Sequence, residues 1–269
     1  MFKQRLLSGI VLVILTVVTL YFGGTVTLLV TAAISLTGMF ELLRVKGEER
    51  SGLAVVAYSG SILYYLLLWL NLEQYILPLS LLVLVLLFFV YVFTFPKHNI
   101  DEVTMAFFSL FYVTVMLSCI YRIRAMENGG YMVVLVFLSA WGNDTLAYCA
   151  GRLFGKHKMS PVLSPKKTVE GAVGGILGAG LLGGLYGLIG QHFMASDHNL
   201  IGIFAAVCAV GGLISIVGDL GASAIKRNYN IKDYSQLIPG HGGILDRFDS
   251  IIFTAPIIYY LLVLVAGMK

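Results

Sequence analysis

Along the chain, apolar positions run almost unbroken for about twenty residues at a time, and polar positions collect in the gaps. These runs fall at 6–22, 25–43, 53–70, 75–95, 103–120, 131–150, 169–190, 200–218 and 250–267. A helix rises about 1.5 Å per residue, so about 20 apolar residues cross a hydrocarbon layer roughly 30 Å thick. The pattern therefore predicts an all-α polytopic membrane protein with about nine transmembrane helices. The break at Phe22-Gly23-Gly24 is so short that a tight turn must join the first two spans. Residues 1–130 would hold about five spans and 131–269 about four, together one membrane-embedded unit with little left for a separate soluble domain. Lys3 and Arg5 before the first run mimic a secretion signal. That run is too long for a signal core and no small-residue cleavage site follows, which predicts an uncleaved first span.

Composition agrees. The chain is 58% hydrophobic and 12% charged, against about a quarter charged in ordinary soluble domains. Cys119, Cys149 and Cys208 stand apart within apolar runs with no paired spacing, so neither a zinc site nor a disulfide framework is indicated. The net charge of +4 comes from bases scattered between spans, a pattern of topology and not of nucleic-acid binding. With the N-terminus in the cytoplasm, 15 of the 18 Lys and Arg fall inside, leaving only Arg122, Arg124 and Lys269 outside. The long polar segments 151–168 and 219–249 then face the cytoplasm, and that is where chemistry is expected. Gly178, Gly180 and Gly183 match GxGxxG, but no strand precedes them, so the glycines read as a close-packing face. Such a face could pack within the chain or pair two copies, which leaves a homodimer open.

Two constellations carry candidate chemistry. If the eighth helix continues past the membrane, Asp219, Ser223, Lys226 and Arg227 share one face. After the turn Pro239-Gly240-His241-Gly242-Gly243, Asp246 and Asp249 lie three apart at the start of the ninth helix, with Arg247 between them. Carboxylates beside Lys and Arg suit a divalent cation that is shared with substrate phosphates. Asp219 and Asp246 are the expected magnesium ligands, with Asp249 in support. Upstream, Asn143 and Asp144 interrupt the sixth span, where polar groups are functional candidates. In Ser164-Pro165-Lys166-Lys167-Thr168, the lysines precede the seventh helix, whose N-terminal N–H groups favour anions.

From Ser223-Ala-Ile-Lys226-Arg227, through Lys232-Asp233, to Pro239-Gly-His241-Gly242-Gly243-Ile-Leu-Asp246-Arg247-Phe-Asp249, the chain resembles the phosphatidate cytidylyltransferases, also called CDP-diacylglycerol synthases. Asn143-Asp144 and Ser164-Pro-Lys166-Lys167-Thr168-Val-Glu170-Gly171 extend the resemblance over about the C-terminal half. It implies transfer of CMP from CTP to phosphatidic acid, with magnesium and release of pyrophosphate; helical spans and the distribution of Lys and Arg predict the inner cell membrane, with the site facing the cytoplasm. The implied catalytic residues are Asp219, Asp246, Asp249, Lys226 and Arg227. The implied substrate contacts are Asn143, Asp144, Ser164, Lys166, Lys167, Thr168, Ser223, His241, Gly242, Gly243 and Arg247. Substrate phosphates and carboxylates can bridge two ions, so a second cation of unidentified kind is allowed for. Two alternatives stay open: a related CTP-dependent lipid kinase or cytidylyltransferase of another lipid phosphate, and a cation-coupled transporter using the same aspartates.

Overall fold

The computed structural model describes residues 2–194, 199–264 and 267, with side chains from residue 7 onward. Lys3, Arg5 and Lys269, which entered the orientation argument, have side chains outside the described residues. The first helix, α1, spans Phe2–Phe22. Eight further helices are long and apolar enough to cross a membrane. They are α2 (Gly24–Arg44), α3 (Gly52–Trp69), α4 (Ile76–Phe93, entered through a 3-10 turn at Glu73–Tyr75), α5 (Ile100–Ala125), α6 (Gly129–Phe154), α7 (Val169–Phe193), α8 (Leu200–Asn228) and α9 (Leu245–Leu264). The all-α membrane class is thus as expected. The described apolar part of the first span, Leu7–Phe22, ends where the expected run ends. A two-stranded hairpin, β1 (Lys158–Ser160) against β2 (Ser164–Thr168), is an addition that no hydrophobic period announced.

The chain forms two compact units, Met1–Tyr121 with Asp233–Arg247, and Arg122–Lys232 with Phe248–Lys269. In the first unit the α1–α2 turn closes on Gly23 at φ 61°, in the left-handed region open to glycine. Ser51 caps α3 by accepting from Ala54 N, and Asn99 with Glu102 forms a capping box on α5. Buried hydroxyls pair between helices: Ser35 with Tyr65, Ser61 with Thr114, and Tyr64 with Ser118, at 2.8–2.9 Å. In a bilayer no water satisfies such groups, so the pairs fix helix register. Segment Asp233–Arg247 belongs to this unit because buried carboxylates here hold its backbone N–H groups, as described below.

In the second unit Gly171, Gly175, Ala179, Gly183, Gly187 and Gly190 are buried along one face of α7. A Cβ on Gly183 would strike the Phe204 carbonyl of α8, and one on Gly178 would strike Leu146 of α6. The glycine-rich stretch is therefore a packing face for two neighbours. Arg122, an exception to the charge rule, lies over the Tyr259 ring at 5.8 Å, so its cation rests against an aromatic face of α9. The 29 residues of α8 span about 44 Å, longer than the hydrocarbon layer. Its last turns carry the polar residues Asp219, Ser223, Lys226 and Arg227.

Candidate active site

In α6 the helix widens to a π turn at Leu138–Gly142 immediately before Asn143. Such bulges recur at functional sites because they redirect side chains. Asn143 is fully buried, and neither amide atom has a hydrogen-bond partner. Its bed is glycine: a Cβ on Gly175 would lie 2.5 Å from Asn143 Oδ1 and 2.8 Å from Ala147 Cβ. Gly175→Ala must therefore displace Asn143 or spread α6 from α7, and overpacking of this kind costs about 1–3 kcal/mol. The unfolding midpoint in detergent is expected to fall accordingly; an unchanged midpoint would contradict this packing.

The hairpin delivers the lysines. Glu170, in the first turn of α7, accepts from the backbone of Lys156 (3.0 Å) and His157 (3.2 Å) and meets His157 Nδ1 at 2.6 Å. The loop before β1 is thereby tied to the start of α7. Thr168 caps that helix by accepting from Gly171 N at 3.1 Å, which leaves Lys166 and Lys167 on the strand just before its positive end.

These parts surround a cavity of about 410 Å³ lined by Asn143, Asp144, Ser164, Lys166, Lys167, Thr168 and Asp219, with Tyr148 and Arg152 among its other walls. Seven residues singled out from sequence thus meet in one place. Tyr148 and Arg152 were missed, although Asp144, Tyr148 and Arg152 recur every fourth residue on one helix face. Lys167 and Asp219 form an ion pair across 52 residues of sequence.

Asp249, on α9, is 8% exposed and accepts from Ser250 N at 2.8 Å. A Cβ on Gly218 would lie 2.8 Å from the Asp249 carbonyl, so glycine lets α8 and α9 approach here. Asp249 interacts with the charges of Asp219, Lys226 and Asp144. The carboxylates of Asp144, Asp219 and Asp249 stand among several bases: Lys167, which pairs with Asp219, Lys166 and Arg152 on the cavity wall, and Lys226. The hard oxygen donors of these carboxylates fit a magnesium-like cation. Ser223 lies on the same helix, half-buried. Arg227 is exposed, and its Nη1 donates to the Ile231 carbonyl at 3.3 Å, closing the end of α8.

The remaining predicted residues lie in the first unit. Gly240 and Gly242 have φ of 78° and 83°, and Gly242 closes a bridge with Ile238. His241 Nδ1 meets Ser8 Oγ at 2.6 Å, and Ser8 Oγ also approaches the Pro239 carbonyl at 3.2 Å. Asp246 is 5% exposed, and its Oδ2 accepts from Tyr234 N (2.8 Å) and Gly243 N (3.0 Å). Arg247 keeps a buried Nε without a partner. Glu41, which sequence reading passed over, accepts from Ser235 Oγ, Ile244 N and Leu245 N. In the same unit Glu48, His98 and Glu102 bring one ligand atom each within 4.8 Å of one another. His98 Nδ1 lies 3.0 Å from Glu102, which also caps α5, so this trio ties a turn to a helix start.

Comparison with known proteins bears on what this arrangement is for. The profile of the cytidylyltransferase family matches residues 3–265. The chain belongs to the cytidylyltransferase family. It is 33% identical over 275 residues to the phosphatidate cytidylyltransferase of Bacillus subtilis (strain 168), covering 97% of this chain and 98% of that one. To the phosphatidate cytidylyltransferase of Thermotoga maritima it is 33% identical over 244 residues, 89% of this chain and 88% of the relative. A phosphatidate cytidylyltransferase of Haemophilus influenzae is 41% identical over 134 residues, 49% and 46% of the two chains. The resemblance read from residues 223–249 therefore extends over nearly the whole cytidylyltransferase chain, and the protein is an enzyme of the nucleotidyltransferase class.

Proposed function

We propose that the protein transfers CMP from CTP to phosphatidic acid, giving CDP-diacylglycerol and pyrophosphate, at the cytoplasmic face of the cell membrane. The observation that carries this reading is the cavity where Lys166, Lys167 and the α7 N-terminus face Asp144 and Asp219. It offers cations and N–H donors to phosphate and carboxylates to a metal. The substrates are those that the relatives' names specify, and the side of the membrane rests on the distribution of Lys and Arg.

In the reaction, a phosphatidate oxygen attacks the α-phosphorus of CTP. A P–O bond forms, the bond from the α-phosphorus to its bridging oxygen breaks, and pyrophosphate departs with that electron pair. The attacking phosphate is ionised near neutral pH and needs no general base. Its difficulty is charge, since both reactants are anions. Lys166, Lys167 and Arg152 on the cavity wall, and Lys226 on the same face of α8 as Asp219, lower that repulsion. Asp219 and Asp249 would hold magnesium, which would supply Lewis-acid stabilisation of the phosphoryl oxygens when bound, and Asp246 is given a catalytic carboxylate role from the signature it belongs to. His241 keeps the turn at Gly240–Gly242 in place through Ser8 and is given no proton-transfer role.

Purified protein in mixed micelles tests the metal. Chelation with EDTA is expected to abolish CDP-diacylglycerol formation and magnesium to restore it. Undiminished turnover in EDTA would remove the metal from the mechanism.

A further inference from the structure

Glu41 sits in the penultimate turn of α2, only 2% exposed. A buried carboxylate is costly unless donors surround it, and it persists where its charge has a task. Its donors all come from one segment of the same unit. Oε1 accepts from Ser235 Oγ at 2.6 Å and Ile244 N at 3.0 Å, and Oε2 accepts from Leu245 N at 2.8 Å. Ile244 and Leu245 stand at the start of α9, where N–H groups have no partner within the helix. A side chain from another helix therefore caps α9, and its negative charge complements the positive end of the helix dipole.

Gly243 records how close this contact is. A Cβ there would lie 2.5–2.7 Å from the Glu41 carboxylate, so residue 243 must lack one for a reason separate from the positive φ of Gly242. On the other side of the same stretch, Asp246 Oδ2 accepts from Gly243 N and Tyr234 N. Glu41 thus grips residues 244 and 245 while Asp246 grips 243 and 234. The carboxylate of Asp246 is oriented by a segment that Glu41 holds.

We infer that Glu41 is a positioning residue for cytidylyl transfer, fixing the first turn of α9 so that Asp246 presents its carboxylate in one orientation. This rests on the proposed catalytic role of Asp246. The donors already held by both Glu41 oxygens separate it from the metal-binding carboxylates. A misplacement of about 1 Å in a reacting group can cost about a hundredfold in rate, so a displaced cap is read in kcat.

The test uses the full chain in detergent. Glu41→Gln retains one oxygen for Ser235 and Ile244 but turns an NH2 group towards the Leu245 N–H. It is expected to lower kcat by at least about tenfold while the KM for CTP stays within about threefold. Glu41→Ala and Gly243→Ala should fall at least as far. Leu87→Ala, a cavity on α4 in the same unit, supplies a variant destabilised for an unrelated reason and should keep kcat within about threefold of wild type. Tryptic cleavage after exposed Lys232 gives a readout independent of turnover, and Glu41→Ala should accelerate it at least about fivefold. Active wild type with Glu41→Gln retaining kcat within about threefold would overturn the inference. So would a loss matched by Leu87→Ala at the same unfolding temperature, or unchanged cleavage in Glu41→Ala. Wild type making no CDP-diacylglycerol would instead sink the proposed function, and cleavage after Lys232 would still report on the cap.

Discussion

Asp219→Asn is expected to lower CDP-diacylglycerol formation by more than about a hundredfold, the scale of losing a charge that organises a phosphoryl-transfer transition state. The amide has the same shape as the carboxylate, so packing at this mostly covered position on α8 is preserved. What changes is charge. Lys167 loses its partner, and one of the three carboxylate charges of Asp144, Asp219 and Asp249 disappears. A cation is then held less tightly, so the magnesium concentration for half-maximal rate should rise along with the fall in kcat. The unfolding midpoint should barely move, because an ion pair about a quarter exposed contributes only about 0–1 kcal/mol. Turnover by Asp219→Asn within about threefold of wild type would exclude Asp219 from the reaction.

Asp246→Asn should lose activity on the same scale, more than about a hundredfold, for a different balance of reasons. Asp246 is nearly fully buried, and one oxygen already accepts from Tyr234 N and Gly243 N. Asparagine can offer its carbonyl oxygen to both donors, so the segment should hold while the charge is lost. Asp246→Ala removes the acceptor too and leaves two N–H groups unsatisfied, each worth about 1–3 kcal/mol. Comparing kcat and unfolding midpoint for the two variants separates the structural from the chemical part. The expected pattern is two equally inactive proteins, of which only Asp246→Ala is clearly destabilised. Activity in Asp246→Asn with loss only in Asp246→Ala would make Asp246 a structural clasp and nothing more. Lys97→Ala, exposed and outside both constellations, should stay within about twofold of wild type.

The helices were legible because a bilayer imposes one length on every apolar run, and the deviations from nine equal spans have local causes. The apolar run of the eighth helix ends at 218, and the helix itself continues to Asn228, the continuation that puts Asp219, Ser223, Lys226 and Arg227 on one face. The hairpin at Lys158–Thr168 escaped notice because strands of three and five mostly polar residues are too short to show a hydrophobic period. Within the site, the lysines before α7 and the face of α8 could be read from spacing alone. The Lys167–Asp219 pair could not, since no local period links residues 52 apart. Arg152 was readable and passed over: it continues the face of Asp144 and Tyr148. Glu41 had a signal as well. The distribution of Lys and Arg explains bases at the end of a span and never asks for an acid there.

The most direct measurement follows two labels from CTP. Purified wild type is incubated with phosphatidic acid and magnesium, using CTP labelled at the α-phosphorus in one reaction and at the γ-phosphorus in another. The expected result is α-label in a lipid that behaves as CDP-diacylglycerol, with γ-label released as pyrophosphate in equal amount. Transfer of γ-label to the lipid, or no labelled lipid from either CTP, would contradict cytidylyl transfer to phosphatidic acid.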